Sequence, residues 1–468
     1  MKKFTILSLL LSLFILDFKA QNYEQYYTDL PIDMPTPELA TIPNNSVNIK
    51  DFGGSGDGVT LNTEAFRRAI SALEKMGGGH LIVPSGVWVT GLISLKDNID
   101  LHLERSAIII ASPDKNDHFK VSNGVRDKKP STLISASKRK NVSITGEGVI
   151  DGNGALWRPV KRSKVSNDEW KGFLAMGGTV TEDGSVWYPF NLKHYDNIAP
   201  TYKEQEKMRT HLIRFTDCER VYISGVTLQN APKFHLIPTR CKEVIIDNVK
   251  VRCPWNAQNG DAIDISSCRN VLIVNSTVDA GDDGICMKAG AGESGIKYGP
   301  CENILIQNNF VYHAHGGFVI GSEYSGGMKN IVVRNNRFSN TDTGLRFKSG
   351  ISRGGICENI FIYDIMMSDI KDEAIIFECT YQDKAVGREV EKLDESDVKF
   401  APQFSDIHIS NIVCHNCETA ISAAGIPSLR TIFDIDIDGC TFFYTKRDKS
   451  VENAELNITN CNFVTYQK

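Results

Sequence analysis

The chain has 468 residues, of which 41% are hydrophobic and 23% charged, with a formal net charge of -5. This is the composition of an ordinary soluble protein, and its acidic balance gives no support to a nucleic-acid or anionic-membrane partner, which would favour a basic surface. An acidic substrate would have to be held by local cations against the overall field.

Residues 1–20 have the pattern of an export signal. Lys2 and Lys3 supply the positive start, residues 4–16 form an apolar run too short to span a bilayer, and Ala20 precedes a plausible cut. The alternative is a buried N-terminal helix. With a leader, the chain is expected to be periplasmic or secreted. No later segment is long and apolar enough to span a membrane. Residues 21–45, with Pro31, Pro35, Pro37 and Pro43, are expected to form an extended lead-in, and residues 46–468 one domain, expected as a monomer.

That domain begins with strand-like alternation at Val47 and a glycine-rich loop over residues 53–58. The loop lacks the Gly-Lys-Ser/Thr ending and the GxGxxG spacing of phosphate cradles, so it is a turn. Asn62 is placed to cap a short helix whose apolar positions are Phe66, Ala69, Ile70 and Leu73, ended by Gly77, Gly78 and Gly79. Ahead of a run of strands, such a helix would cover an open end.

From Leu81 onward, short Val- and Ile-rich strands alternate with Gly, Asn and Asp. Segments starting at Asn270, Asn303, Asn330 and Asn359 lie 33, 27 and 29 residues apart, the spacing of a repeat architecture. Earlier starts fall at Asn141, Arg220 and Glu243, and a later one at Asp406. Each segment is expected to form one coil of a parallel β solenoid, with like columns stacked ~4.8 Å apart. Insertions interrupt the repeat near residues 151–209 and 384–400, and their length favours loops rising beside a cleft. The first carries Trp157, Trp170, Trp187 and Tyr188. Cys218, Cys241, Cys268, Cys301 and Cys357 each stand two residues before a coil start. They could form disulfides in an exported protein, but a repeated small apolar column is the stronger reading.

In this frame Asp282, His315, Asp342 and Lys371 share a column, and Asp261 falls in the next with Asp283. Asp261, Asp282, Asp283 and His315 should therefore meet on one wall. Stacked carboxylates repel one another, so at least one should hold its proton above its usual pKa, as a general acid facing a general base requires. Glycoside hydrolysis uses such a pair, although coil spacing alone does not distinguish retention from inversion. Arg346 and Lys348 face the same way on a strand, and Lys288 shares the Lys348 column two coils away. This cluster suits the carboxylate of a sugar acid. For any one charge, a solvated salt-bridge face is the plain alternative; the stacking of the group favours a site. His313 and His315 allow a metal site, but the aspartates look more like acid/base equipment. A calcium-dependent polysaccharide lyase and a non-enzymatic sugar-binding solenoid remain the rivals.

Four linked motifs carry a resemblance: Asn259-Gly260-Asp261, Gly281-Asp282-Asp283, Ala314-His315-Gly316 and Arg346-Phe347-Lys348. In order and spacing they resemble the NTD, G/Q-D-D, GHG and RIK motifs of the polygalacturonases of glycoside hydrolase family 28. Residues 151–154 and 316–323 look most like the bacterial exo-acting members. The resemblance implies an all-β, single-stranded right-handed parallel β-helix and inverting hydrolysis of α-1,4-galacturonosidic bonds in pectin or an oligogalacturonide. Rhamnogalacturonan and xylogalacturonan hydrolases belong to the same family. It also implies Asp282 as the acid, Asp261 and Asp283 as activators of the water, and His315 as the residue tuning the acid. Asn259, Lys288, Arg346 and Lys348 would bind substrate, and no metal or organic cofactor is implied. Gly260, Ala314 and Phe347 depart from the pattern without removing an ionisable group.

Overall fold

The computed structural model describes residues 22–189, 204, 206–383, 393 and 398–466. The leader over residues 1–20 and most of the second insertion lie outside them.

Successive coils each give one short strand to each of three parallel sheets, forming a right-handed parallel β-helix. The sheet that carries the motifs contains β1 (Ile213–Thr216), β2 (Leu236–Thr239), β3 (Ile263–Ser266), β4 (Ile285–Lys288), β5 (Gly316–Ser322), β6 (Thr343–Ser349) and β7 (Glu373–Glu378). Its register runs Ile213, Leu236, Ile263, Ile285, Phe318, Leu345, Ile375 without a slip. All seven are fully buried in the solenoid interior. Burial of each such side chain contributes roughly 1.5–3 kcal/mol. Because successive strand residues point to opposite faces, this column fixes which residues look outward, and Asp264, Arg346 and Lys348 do.

The coil starts are asparagines for a backbone reason. Asn270, Asn303, Asn330 and Asn359 adopt φ of 56°, 56°, 56° and 57°, a left-handed conformation that Asn tolerates better than most residues. Their side chains also stack: Asn303 Nδ2 donates to Asn270 Oδ1 at 2.9 Å, Asn330 to Asn303 at 2.9 Å and Asn359 to Asn330 at 2.6 Å. The ladder ties each coil to the next at the same corner.

The capping helix α1 (Thr63–Lys75) buries Ala65, Phe66, Ala69, Ile70 and Leu73 at the end of the solenoid. Asn62 stands at its N-cap, but its side chain makes no capping bond. The Asn62 amide instead ties the glycine-rich loop together, accepting from Ser55 N and donating to Ser55 O and Val89 O. The lead-in is a strap. Tyr23 donates to Asp247 at 3.0 Å, and Arg334 donates to Tyr26 O and Thr28 O. The strap covers Ile245, Leu272, Leu305 and Val332, which point away from the interior.

All twelve cysteines are free thiols, and the five at coil starts are buried, as the apolar-column reading expects. The first insertion carries helix α2 (Asn167–Ala175), capped by Ser166 and Glu169, beside a small antiparallel sheet of Val160–Lys161, Val186–Tyr188 and Thr179–Val180. No helix among the described residues is long and apolar enough to cross a membrane.

Candidate active site

Parallel stacking assembles the site as the repeat frame requires. Ala262 N donates to Asp283 O at 3.0 Å and His315 N to Asp282 O at 2.8 Å, which sets Asp261 beside Asp283 and His315 beside Asp282. One carboxylate oxygen from each of Asp261, Asp282 and Asp283 lies within 4.8 Å of the others. This is closer than the ~6.5–9.5 Å of typical inverting pairs, so the separation alone does not report the stereochemistry. These three groups could also hold a cation, but Asp283 is already neutralised. Lys348 donates to both its oxygens, at 3.0 and 2.7 Å, and Arg346 stands 3.9 Å away.

The three carboxyls have different surroundings. Asp261 is 3% exposed and its Oδ1 has no hydrogen-bond donor among the described residues. Burial, then the Asp264 and Asp282 charges, pushes its pKa well above the usual range. Burial also disfavours the charge on Asp283, yet Lys348, Lys288 and Arg346 hold it well below the usual range. Asp282 has the most open side chain of the three, at 20%. Burial works against its charge, but the bond from His315 Nδ1 at 3.0 Å prevails and lowers its pKa. Of the three carboxyls, Asp261 is the one whose pKa is raised. At Asp282 the His315 bond and the His315 and Lys348 charges outweigh burial and the repulsion from Asp283.

The other expected residues are also brought here. Asn259 N donates to Asp282 Oδ2 at 3.2 Å, and Asn259 Oδ1 accepts from Arg209 at 2.9 Å. Lys288 reaches Gly321 O at 3.0 Å and stands 3.9 Å from Asp264. Arg346 Nε is buried without an acceptor among the described residues, and the guanidinium lies 5.5 Å over the Tyr381 ring. His313 is turned away, bonding Ala280 O at 2.8 Å. Two of the departures from the motif pattern, Gly260 and Phe347, have packing reasons. A Cβ on Gly260 would meet Cys253 Sγ at 3.0 Å and Ala257 Cβ at 3.1 Å. The Phe347 ring stacks on Phe377, with centroids 4.4 Å apart.

Sequence reasoning missed two groups. Asp264 is 1% exposed, neither of its oxygens has a donor among the described residues, and burial pushes it up to about 7. Its signal was available, since it shares an outward column with Arg346. Lys164, on the first insertion, places Nζ 2.9 Å from His315 Nε2. No repeat or motif marks it.

The family model for glycosyl hydrolases family 28 matches residues 159–461. The chain belongs to glycosyl hydrolase family 28. Among relatives, it is 30% identical over 382 residues to the exo-poly-alpha-D-galacturonosidase of Dickeya chrysanthemi, covering 78% of this chain and 61% of that protein. The chain thus spans about three fifths of that relative's length. Among solved structures, this family 28 chain matches a hyperthermoactive exopolygalacturonase from Thermotoga maritima with a TM-score of 0.73 at 29% identity, over 92% of this chain and 94% of the other. A polygalacturonase from Erwinia carotovora ssp. carotovora matches with a TM-score of 0.60 at 20% identity, over 93% and 99% of the two chains, and shares the fold.

Proposed function

We propose that this family 28 chain hydrolyses α-1,4-galacturonosidic bonds of polygalacturonate from a chain end, with inversion. The observation that carries the reading is three carboxyls gathered within 4.8 Å beside a cationic pair, Arg346 and Lys348. The named activities of the Dickeya and Thermotoga relatives support exo action. So does the first insertion, whose Lys164 reaches over the cleft wall. Export is the counterpart proposal, supported by the pattern of residues 1–20.

In this reading Asp282, whose side chain is the most open of the three, protonates the leaving oxygen, while Asp261 and Asp283 orient and activate the water. In the free site the His315 hydrogen bond and the Lys348 charge lower the Asp282 pKa, and a uronate carboxylate that engages Arg346 and Lys348 offsets the cationic charge and raises it toward the protonated form an acid needs. Tyr381, beneath the Arg346 and Lys348 cations, supplies a flat wall for the sugar.

Early products from polygalacturonate test the reading. Saturated monomer or a single short product, released first as the anomer of inverted configuration by proton NMR, is expected. A ladder of oligomers before monomer would rule out exo action. Products with ultraviolet-absorbing unsaturated ends would mean a lyase.

A further inference from the structure

We propose that Lys164, carried into the cleft by the first insertion, is a positioning residue for the acid: it fixes the tautomer of His315 and through it the hydrogen bond that orients Asp282. The inference rests on the proposed hydrolysis and deepens it.

Lys164 closes a single-turn 3-10 helix, Arg162–Lys164, beside the small sheet of the insertion. Arg162 anchors that turn, donating to Val165 O at 2.9 Å and to Asn167. From this base Lys164 Nζ reaches 2.9 Å from His315 Nε2 and 3.5 Å from Gly281 O. An ammonium group has protons to donate and no lone pair. A bond to Nε2 therefore requires Nε2 to be the unprotonated ring nitrogen. The ring proton then sits on Nδ1, which is 3.0 Å from Asp282 Oδ1. One lysine thus selects the tautomer that donates to the acid, in the way that the partner of a histidine's second nitrogen generally sets its role.

The remaining charges around this chain of contacts leave Lys164 the decisive one. Asp342 Oδ2 lies 3.8 Å from His315 Nε2 and by itself would favour a proton there. Lys371 pairs with Asp342 at 3.2 Å and reduces that pull. Lys161, on the same insertion, is exposed and opposes the charge on Lys164, as Lys371 does, whereas Asp282 and Asp342 support it. Burial draws Lys164 below the ordinary lysine pKa. With Lys164 gone, water and Asp342 would compete for Nε2, and the tautomer that donates to Asp282 would no longer be selected.

The test uses the full chain, with Lys164→Met, Lys164→Arg and, as a nearby control, Lys161→Met, each checked for folding by circular dichroism. On polygalacturonate, Lys164→Met should lose roughly tenfold to a hundredfold in kcat, part of the ~10²–10⁴-fold that general-acid assistance supplies. KM should stay within about threefold, as expected for an interaction that matters in the transition state. Lys164→Arg, which keeps a donor, should recover part of the loss, and Lys161→Met should behave as wild type. Nitrogen NMR of ¹⁵N-histidine-labelled protein, with His315→Asn to assign the ring, reads the tautomer directly. A wild-type Nδ1–H form that becomes mixed in Lys164→Met is expected. The same tautomer in both proteins, full kcat in Lys164→Met, an effect confined to KM, or an equal loss in Lys161→Met would overturn the inference. Absence of hydrolysis by the wild type would instead remove the proposed function, and the NMR comparison would still decide whether Lys164 sets the tautomer.

Discussion

Replacing Lys348 by Met removes one partner of the most enclosed ion pair in the site. Lys348 is 5% exposed and Asp283 2% exposed, and the ammonium bonds both carboxylate oxygens at 3.0 and 2.7 Å. Removing one partner of such a pair costs about 3–5 kcal/mol, because the other is left charged and buried. Arg346, 3.9 Å away, and Lys288 still face Asp283, so the lower end applies, about 3 kcal/mol. In a chain of 468 residues, at about 2.1 cal/mol/K of unfolding entropy per residue, that corresponds to about 3 °C in Tm. The sign with pH follows from linkage. Asp283 has a depressed pKa in the folded state, so its contribution is present above the unfolded value of ~3.9 and lost as pH falls. Lys348 has a raised pKa, so its contribution is present below ~10.4 and lost as pH rises through the folded value. The pair therefore stabilises from roughly pH 4 to 10, and the gap between wild type and variant should narrow by about 1 kcal/mol between pH 5 and pH 3. Thermal melts of both proteins at pH 7, 5 and 3 measure this. A variant melting within about 1 °C of wild type at pH 7, or a gap that widens toward pH 3, would refute the reasoning.

Arg346→Gln should lower kcat/KM on polygalacturonate roughly tenfold to a hundredfold, the ~1.5–3 kcal/mol of a charge-assisted bond to a carboxylate. The loss should be smaller on a fully methyl-esterified substrate, and equal losses on both would mean that Arg346 does not read the uronate. Asn303→Ala removes two rungs of the asparagine ladder and puts Ala at φ 56°. It should cost about 2–3 kcal/mol from two hydrogen bonds and one left-handed residue, and an unchanged Tm would count against the ladder as a stabilising element.

The fold and most of the site were legible because both depend on the repeat. Asn270, Asn303, Asn330 and Asn359 mark the same corner of successive coils, so aligning them aligned Asp282 with His315 and Asp261 with Asp283. Residues outside the period were not legible. Lys164 lies in an insertion built from two- and three-residue strands, where no hydrophobic pattern reports direction. The strap was visible only as proline-spaced chain, and its role became clear from the outward-facing Ile245, Leu272, Leu305 and Val332 beneath it. Asn62 was correctly placed at the start of α1, but a cap position in sequence does not say where the side chain will find its partners. The lowered pKa at Asp282 was not legible, because the repeat frame stacks the carboxylates without reporting the cations that the fold sets beside them.

Turnover of Asp282→Asn on polygalacturonate, with a folding check and with EDTA-treated wild type alongside, tests whether Asp282 is the acid. A folded variant that binds substrate but has lost on the order of 10²–10⁴ in kcat is expected, with EDTA leaving the wild type unaffected. A folded Asp282→Asn with near wild-type turnover, or wild-type activity abolished by EDTA and restored by calcium, would contradict that assignment.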